Sequence, residues 1–196
     1  PNAITVALIR EVVAAKGIPV VKLNDAVITR ELMKHADPEG YDLQCENNLA
    51  LMKEMDAYIA IRGSHNITEM SDVPADKMKM VMEKMRPVIN ERVNNTKWCV
   101  LRWPTSAMAQ QAGMSTQAFE DFYFRVCLLD YKALLPAMNA LKRLMDKTND
   151  VRLIAPGTDL HFSMKGIKAI ACGGDHNIPD GEVFSSPVKD SVEGFI

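Results

Sequence analysis

Short apolar segments alternate with segments of helical length through most of this 196-residue chain, and this alternation constrains the fold more than any other feature. The segments at 18–23, 56–63 and 98–103 are rich in apolar residues. Such runs are typical of strands that are covered on both faces of a parallel sheet. Stretches of ten or more helix-prone residues separate them. The pattern predicts an α/β fold with a mostly parallel sheet and flanking helices.

Helical periodicity and local start and stop signals predict where the helices lie. Residues 2–16 carry apolar side chains at helical spacing, and Gly17 follows as a C-terminal cap. Residues 25–55 are interrupted at Asp37-Pro38, so two helices are expected there. Further helices are expected at 74–89, 107–112, 115–127 and 130–147. In the last of these, Pro136 fits only the first turn and otherwise marks a kink.

The pattern changes after Asp150, where short β-rich segments replace the helices. These segments lie at 151–156, 158–164, 167–172 and 182–187, and glycines separate them. They predict hairpins or a small mixed sheet. We therefore expect two domains, an α/β domain at 1–150 and a β-rich segment at 151–196.

Composition and charge exclude several classes of protein. Lysine and arginine total 23 against 25 aspartates and glutamates, and the resulting net charge of -2 argues against a nucleic-acid or anionic-membrane partner. The sequence has neither a run of about eighteen apolar residues, as a membrane span requires, nor a signal peptide. The four cysteines form no CxxC pair and are typical of reduced, inert thiols in a cytoplasmic protein (Cys45, Cys99, Cys127 and Cys172).

Acidic and imidazole side chains are concentrated between residues 159 and 190. Asp159 and His161 share one face of a predicted strand, because side chains alternate along a strand. His176 and Glu182 flank a polar turn that includes Asp180. Carboxylate oxygens bind hard divalent cations, and imidazole nitrogens extend the choice of metal to zinc or cobalt. Spacing alone leaves a metal site and an ordinary turn both open, since Asp, Gly and Pro also dominate turns.

A second candidate site follows the strand at 56–63. Gly63, Ser64, His65 and Asn66 lie past the carboxyl end of that strand, where ligands collect in open α/β sheets. The glycine-rich motifs of dinucleotide or P-loop binding are absent from the sequence. A turn is the commoner role for such a loop, and a small-ligand binding module is the alternative.

The sequence NIPDGEVFSSP at 177–187, preceded by GTDLHFSMKG at 157–166, resembles the aminopeptidase T / aminopeptidase S family of metallo-aminopeptidases. The segments at 61–66 and 103–131 resemble the same family in the same order. The resemblance therefore covers nearly the whole chain. It implies an enzyme that removes N-terminal residues from peptides with broad specificity.

The resemblance also implies a metal site and a partner. In that family the glutamate of the GEVF element is a metal ligand, which is Glu182 here, and the active site holds two divalent ions (Zn, Co, Mn or Mg). The other ligands lie in a C-terminal domain, which is expected after Ile196, and a first helix and strand are expected before Pro1. The resemblance implies a homodimer for the full-length protein, and the chain alone is expected to be inactive.

Two other hypotheses stay open at this point. The first is a self-contained metallohydrolase that uses Asp159, His161, His176 and Glu182. The second is a non-enzymatic α/β module that binds a small ligand or has a regulatory role through the loop at 63–66.

Overall fold

The computed structural model describes residues 2–196, which form two compact units. The first unit extends to Phe124, and the second comprises Arg125–Ile196. Helices give way to short strands at Asp150, as the sequence predicts. The units divide earlier than that, within a helix, so the domain boundary near residue 150 stays a prediction.

The first unit is an α/β arrangement. Its elements are, in order, α1 (Asn2–Ala14), α2 (Ala26–Lys34), α3 (Pro38–Lys53), β1 (Ala57–Arg62), α4 (Ala75–Lys84), α5 (Arg86–Asn95), β2 (Lys97–Arg102), α6 (Ser106–Gln111) and α7 (Thr116–Cys127), whose last residues belong to the second unit. Strands β1 and β2 pair in parallel, with Ala57 opposite Lys97 and Arg62 opposite Arg102. The predicted parallel α/β fold is confirmed.

Short polar side chains begin the helices where the sequence predicts. The Asp25 carboxylate accepts hydrogen bonds from the first backbone amides of α2 at 2.8 and 2.9 Å. Asp37 accepts one from the Gly40 amide at 2.7 Å, and Pro38 occupies the first position of α3. These caps satisfy amides that have no partner within the helix. The division of residues 25–55 into two helices is confirmed.

The predicted strand at 18–23 is wrong. These residues lie between α1 and α2 without regular structure, and Ile18 and Leu23 are 89% and 84% exposed. An apolar run becomes a strand only where a neighbouring strand supplies partners for its backbone amides and carbonyls. In the part of the chain that the structure describes, no strand pairs with this segment.

The helix predicted at 74–89 is two helices, α4 and α5, which meet at Met85. Pro87 explains the break, because it has no amide hydrogen to donate to the carbonyl of Glu83. A small core lies beneath this region. Ala36, Tyr41 and Val81 are buried there.

The second unit consists of one long helix and several short strands. Helix α8 spans Tyr131–Lys147, and the strands are β3 (Asp150–Ala155), β4 (Thr158–Ser163), β5 (Ile170–Cys172), β6 (Asn177–Ile178), β7 (Glu182–Phe184) and β8 (Glu193–Phe195). Strands β3, β4 and β8 form an antiparallel sheet in that order, and β5 pairs antiparallel with β7. The predicted hairpins after Asp150 are confirmed. Pro136 lies inside α8 beyond its first turn, where its nitrogen cannot donate to the Lys132 carbonyl.

Helix α8 packs against β5 and β7 and positions them. Near its end, the Asp146 carboxylate accepts hydrogen bonds from the Lys142 ammonium group at 2.6 Å and from the buried Ala169 amide at 2.8 Å. The second of these bonds ties the helix to the loop that leads into β5. None of the helices in residues 2–196 combines the length and the apolar character that crossing a bilayer requires.

Candidate metal site

The pairing of β5 with β7 brings three donor side chains together. The donor atoms of Cys172, Asp180 and Glu182 all lie within 4.8 Å of one another. Cys172 stands opposite Glu182 in the antiparallel register, so their side chains lie on one face of the pair. Within residues 2–196, this is the one group of three or more His, Cys, Asp and Glu side chains that meets this distance. We call these three residues the donor cluster.

Glu182 is the uncommitted carboxylate of the donor cluster. It begins β7, and its side chain is exposed. Among the described residues, no hydrogen bond or ion pair engages its carboxylate. Both oxygens are therefore available to a ligand. The predicted metal ligand thus stands at a position from which it can bind an ion.

Asp180 is held by the backbone around it. Its Oδ2 accepts a hydrogen bond from the Gly174 amide and its Oδ1 accepts one from the Gly181 amide, each at 3.0 Å. Its own amide donates to the Tyr131 hydroxyl oxygen at 3.1 Å. Each carboxylate oxygen keeps a second lone pair, yet the hydrogen bonds from the two backbone amides fix the orientation of the carboxylate.

Cys172 places a partly buried thiol beside the two carboxylates. Burial raises the pKa of the Cys172 thiol, and the negative charges of Asp180, Glu182 and Asp175 raise it further. A thiol must lose its proton to act as a nucleophile or as a strong metal ligand. The carboxylates are the hard oxygen donors of the cluster. Burial also raises the pKa of Cys99, in keeping with the inert thiols expected from the sequence.

The chemistry of the donor cluster fits part of a divalent-ion site. Carboxylate oxygens suit Mg²⁺ and Mn²⁺, and they also bind Zn²⁺. A closed structural zinc site needs four protein ligands, and a catalytic one needs about three. The donor cluster has one uncommitted carboxylate, so it supplies only part of the ligands that such a site needs. Glu182 is the residue that would hold the ion, and Asp180 lies beside it.

The second group of predicted ligands lies on β4, outside the donor cluster. Arg152 donates two hydrogen bonds to the Asp159 carboxylate, at 2.9 and 2.8 Å, and these bonds hold the pKa of Asp159 below its ordinary value. The His161 Nε2 atom lies 3.3 Å from the same carboxylate. Both side chains are thus part of a surface ion-pair group on the β3–β4 hairpin.

His176 lies in the turn between β5 and β7, with its Nε2 atom 4.0 Å from the Asp175 carboxylate. Like Asp159 and His161, it is not a member of the donor cluster. Of the four residues that the self-contained metallohydrolase would need, only Glu182 belongs to the cluster. The geometry therefore does not assemble that site.

The loop after β1 is a hydrogen-bonded turn. The Ser64 hydroxyl accepts a hydrogen bond from the Asn66 amide at 3.2 Å, and the Asn66 side-chain oxygen accepts one from the Thr68 amide at 3.1 Å. Thr105, which follows β2, donates its hydroxyl to the Ser64 carbonyl at 2.9 Å. These polar groups satisfy one another's hydrogen-bonding capacity. The loop is therefore a turn, which is the commoner role for such a sequence.

The sequence includes Asp180 in a polar turn within a stretch that could bind metal, and it predicts an inert thiol at Cys172. The contact between these residues depends on the register of β5 against β7, which residues 173–181 separate along the chain. The only local signal was the Asp-Gly pair before Glu182. Nothing in the spacing indicated that Tyr131 contacts this turn.

Comparison with known proteins identifies the family. A model of the thermophilic metalloprotease (M29) family matches residues 2–196, so the chain belongs to that family. The suspected relationship to the aminopeptidase T and S family is confirmed. No curated protein sequence shows a significant match to the chain.

Among solved structures, wild-type AmpT from Thermus thermophilus has the same fold. The TM-score is 0.71 at 20% sequence identity, over 96% of this chain. The chain spans 55% of the AmpT chain, about half of its length. The similarity confirms the fold class that the alternation of strands and helices predicts.

Proposed function

We propose that this chain is the N-terminal part of a metal-dependent aminopeptidase that hydrolyses N-terminal residues from peptides with broad specificity. The observation that carries the proposal is the match of the metalloprotease family over residues 2–196. The exposed, uncommitted carboxylate of Glu182 in the donor cluster supports it. The remaining ligands come from the part of the longer protein that this chain does not contain.

Two divalent ions, chosen from Zn, Co, Mn and Mg, complete the active site of the longer protein. When bound, such ions polarise the scissile carbonyl and lower the pKa of a bound water. Glu182 contributes charge that offsets the ions, and the short strand β7 holds its backbone in place. The substrates are peptides. The longer protein acts in the cytoplasm as a homodimer.

The chain alone lacks activity in this proposal. A single free carboxylate does not make a high-affinity site, because metal affinity depends on ligand count and geometry. We therefore expect no stoichiometric binding of Co²⁺ or Zn²⁺ tighter than about millimolar. We also expect no release of N-terminal amino acids from a peptide by the pure chain.

Paramagnetic relaxation by Mn²⁺ tests the metal role of Glu182 even when binding is weak. We expect amide signals around Val183 to broaden in proportion to added Mn²⁺, and the broadening to be lost in Glu182→Gln. Asp175→Asn is the matched control, because it removes the same charge from an exposed carboxylate of the adjoining turn (71% exposed). Equal broadening in the wild type and in Glu182→Gln would refute the ligand assignment.

Peptide hydrolysis tests the division of the active site. Chelator-sensitive release of an N-terminal residue by the 196-residue chain would show that this chain holds a complete site. Activity confined to a longer polypeptide, and abolished there by Glu182→Gln, is the result that the proposal expects. A longer polypeptide that binds a small ligand at residues 63–66 without hydrolysis would favour the non-enzymatic module.

A further inference from the structure

The geometry points to Asp180 as a positioning residue that sets the direction of Glu182, with the Tyr131 hydroxyl holding Asp180 in place. This inference rests on the proposed function, in which Glu182 is the metal ligand. It assigns different roles to two carboxylates that stand side by side in the donor cluster. Glu182 binds the ion, and Asp180 holds the turn from which Glu182 projects.

The Asp180 carboxylate bridges the two ends of the turn between β5 and β7. One oxygen accepts from Gly174, just after β5, and the other from Gly181, just before β7. The Gly181 amide also donates to the Cys172 carbonyl at 3.0 Å, which continues the pairing of the two strands. The carboxylate thus closes the turn at the residue next to Glu182.

Tyr131 joins this turn to the start of α8. Its hydroxyl accepts a hydrogen bond from the Asp180 amide and donates one to the Val126 carbonyl, each at 3.1 Å. Its ring lies so close to Gly174 that a Cβ atom there would fall 2.7 Å from the ring carbon Cδ2. The turn is therefore fixed by hydrogen bonds and by close packing at once.

The hydrogen bonds of Asp180 separate it from Glu182 in function. Both of its oxygens already accept a backbone amide, whereas Glu182 has no partner among the described residues. Residues that orient metal ligands without binding the metal commonly change metal affinity about 10-fold to 100-fold when they are replaced. In this inference, Asp180 orients Glu182 without binding the metal itself.

The test uses Mn²⁺ as the probe on the 196-residue chain. The slope of the Val183 amide relaxation rate against Mn²⁺ concentration reports relative affinity when binding is weak. We expect Asp180→Ala to lower this slope about 10-fold. Asp180→Asn keeps one oxygen acceptor for the Gly174 amide, so we expect it to recover most of the slope. If Asp180 were itself a ligand, the uncharged Asn variant would fall as far as the Ala variant, and the positioning role would be overturned.

Two control variants separate positioning from charge and from general destabilisation. Asp175→Asn removes a neighbouring charge from the turn and should leave the slope unchanged. Asp146→Asn loosens the other end of α8 and should also leave it unchanged, although it lowers stability. A lowered slope in either control would overturn the inference, because charge or stability alone would then explain the Asp180 result.

The failure of this inference can be told from the failure of the proposed function. Loss of broadening in Glu182→Gln with a wild-type slope in Asp180→Ala would overturn the positioning role and leave the metal role of Glu182 standing. Unchanged broadening in Glu182→Gln would overturn both. Hydrogen exchange adds a metal-free readout, in which the Gly174 amide exchanges faster in Asp180→Ala than in Asp180→Asn. Equal exchange in these two variants would also contradict the proposal that the Asp180 carboxylate holds the two ends of the turn together.

Discussion

Replacing Gly174 by alanine tests the packing that holds the candidate metal site. The residue has φ of +81°, in the left-handed region, and an added Cβ would lie 2.7 and 2.9 Å from Cδ2 and Cγ of the Tyr131 ring. Contacts this short require the ring or the turn to move. The ring cannot move freely, because its hydroxyl is hydrogen-bonded to both Val126 and Asp180.

The expected cost combines two unfavourable effects and one favourable effect. The left-handed conformation costs an alanine about 1–2 kcal/mol, and overpacking costs about 1–3 kcal/mol. Alanine also restricts the unfolded chain, which offsets about 0.4–1 kcal/mol. We therefore expect Gly174→Ala to lower the free energy of unfolding of the second unit by about 3 kcal/mol.

Gly166→Ala is the matched control for this experiment. Gly166 lies in the same unit with φ of +80°, and an added Cβ would meet nothing within 4 Å. It carries the conformational cost without the steric one, so we expect a loss of about 1 kcal/mol. The difference between the two variants, about 2 kcal/mol, measures the contact with Tyr131.

Urea unfolding followed by amide signals of the second unit is the suitable assay. Both tryptophans, Trp98 and Trp103, belong to the first unit, so amide signals are the direct report on this one. Losses for Gly174→Ala and Gly166→Ala that agree within about 0.5 kcal/mol would refute the packing argument. A Tyr131→Ala background provides a second check, because removing the ring should abolish the difference between the two glycine variants.

Two further predictions concern hydrogen bonds that stabilise helices. The bonds from Lys142 and from the Ala169 amide hold the pKa of Asp146 below its ordinary value. A depressed pKa stabilises the fold above about pH 4, and that stabilisation is lost as the pH falls through the lowered pKa. Wild type should therefore exceed Asp146→Asn in urea resistance at pH 7 and lose the advantage progressively as the pH falls below about 4, and a gap that stays constant would contradict this cause. At the start of α2, Asp25→Ala should cost about 1 kcal/mol while Asp25→Asn costs little, since asparagine caps helices equally well. Hydrogen exchange of the first α2 amides distinguishes these two variants, and equal protection would argue against the cap.

Much of the fold could be predicted because its signals are local. The sequence predicts helix boundaries at Asp25 and at Asp37-Pro38, where the structure has N-terminal caps, and the apolar runs at β1 and β2 locate the two parallel strands. The strand prediction failed at 18–23, which has the same apolar character as β1 but, within residues 2–196, pairs with no strand. Periodicity describes what a segment can bury, whereas strand formation depends on a partner elsewhere in the chain.

The candidate site was predicted only in part, for the same reason. Glu182 was assigned from the resemblance of its motif, because the spacing of acidic residues favoured neither a metal site nor a turn. Its neighbours in space, Cys172 and Tyr131, come from another strand and from a helix. The long-range register that brings them together cannot be read from the local sequence. Asp159 and His161 were good candidates by alternation, yet Arg152 on the paired strand engages the Asp159 carboxylate.

The contrast between Asp159 and Glu182 bears on which acidic residue is available to bind an ion. Asp159 has its hydrogen-bonding capacity taken up by an arginine, so an ion would have to displace that partner. Glu182 needs no such displacement, and its exposed position leaves its stability contribution small. Around it, Asp180, Gly174 and Tyr131 are joined by hydrogen bonds and close packing, so the turn from which Glu182 projects is fixed, while among residues 2–196 the Glu182 carboxylate engages no hydrogen-bond or ion-pair partner.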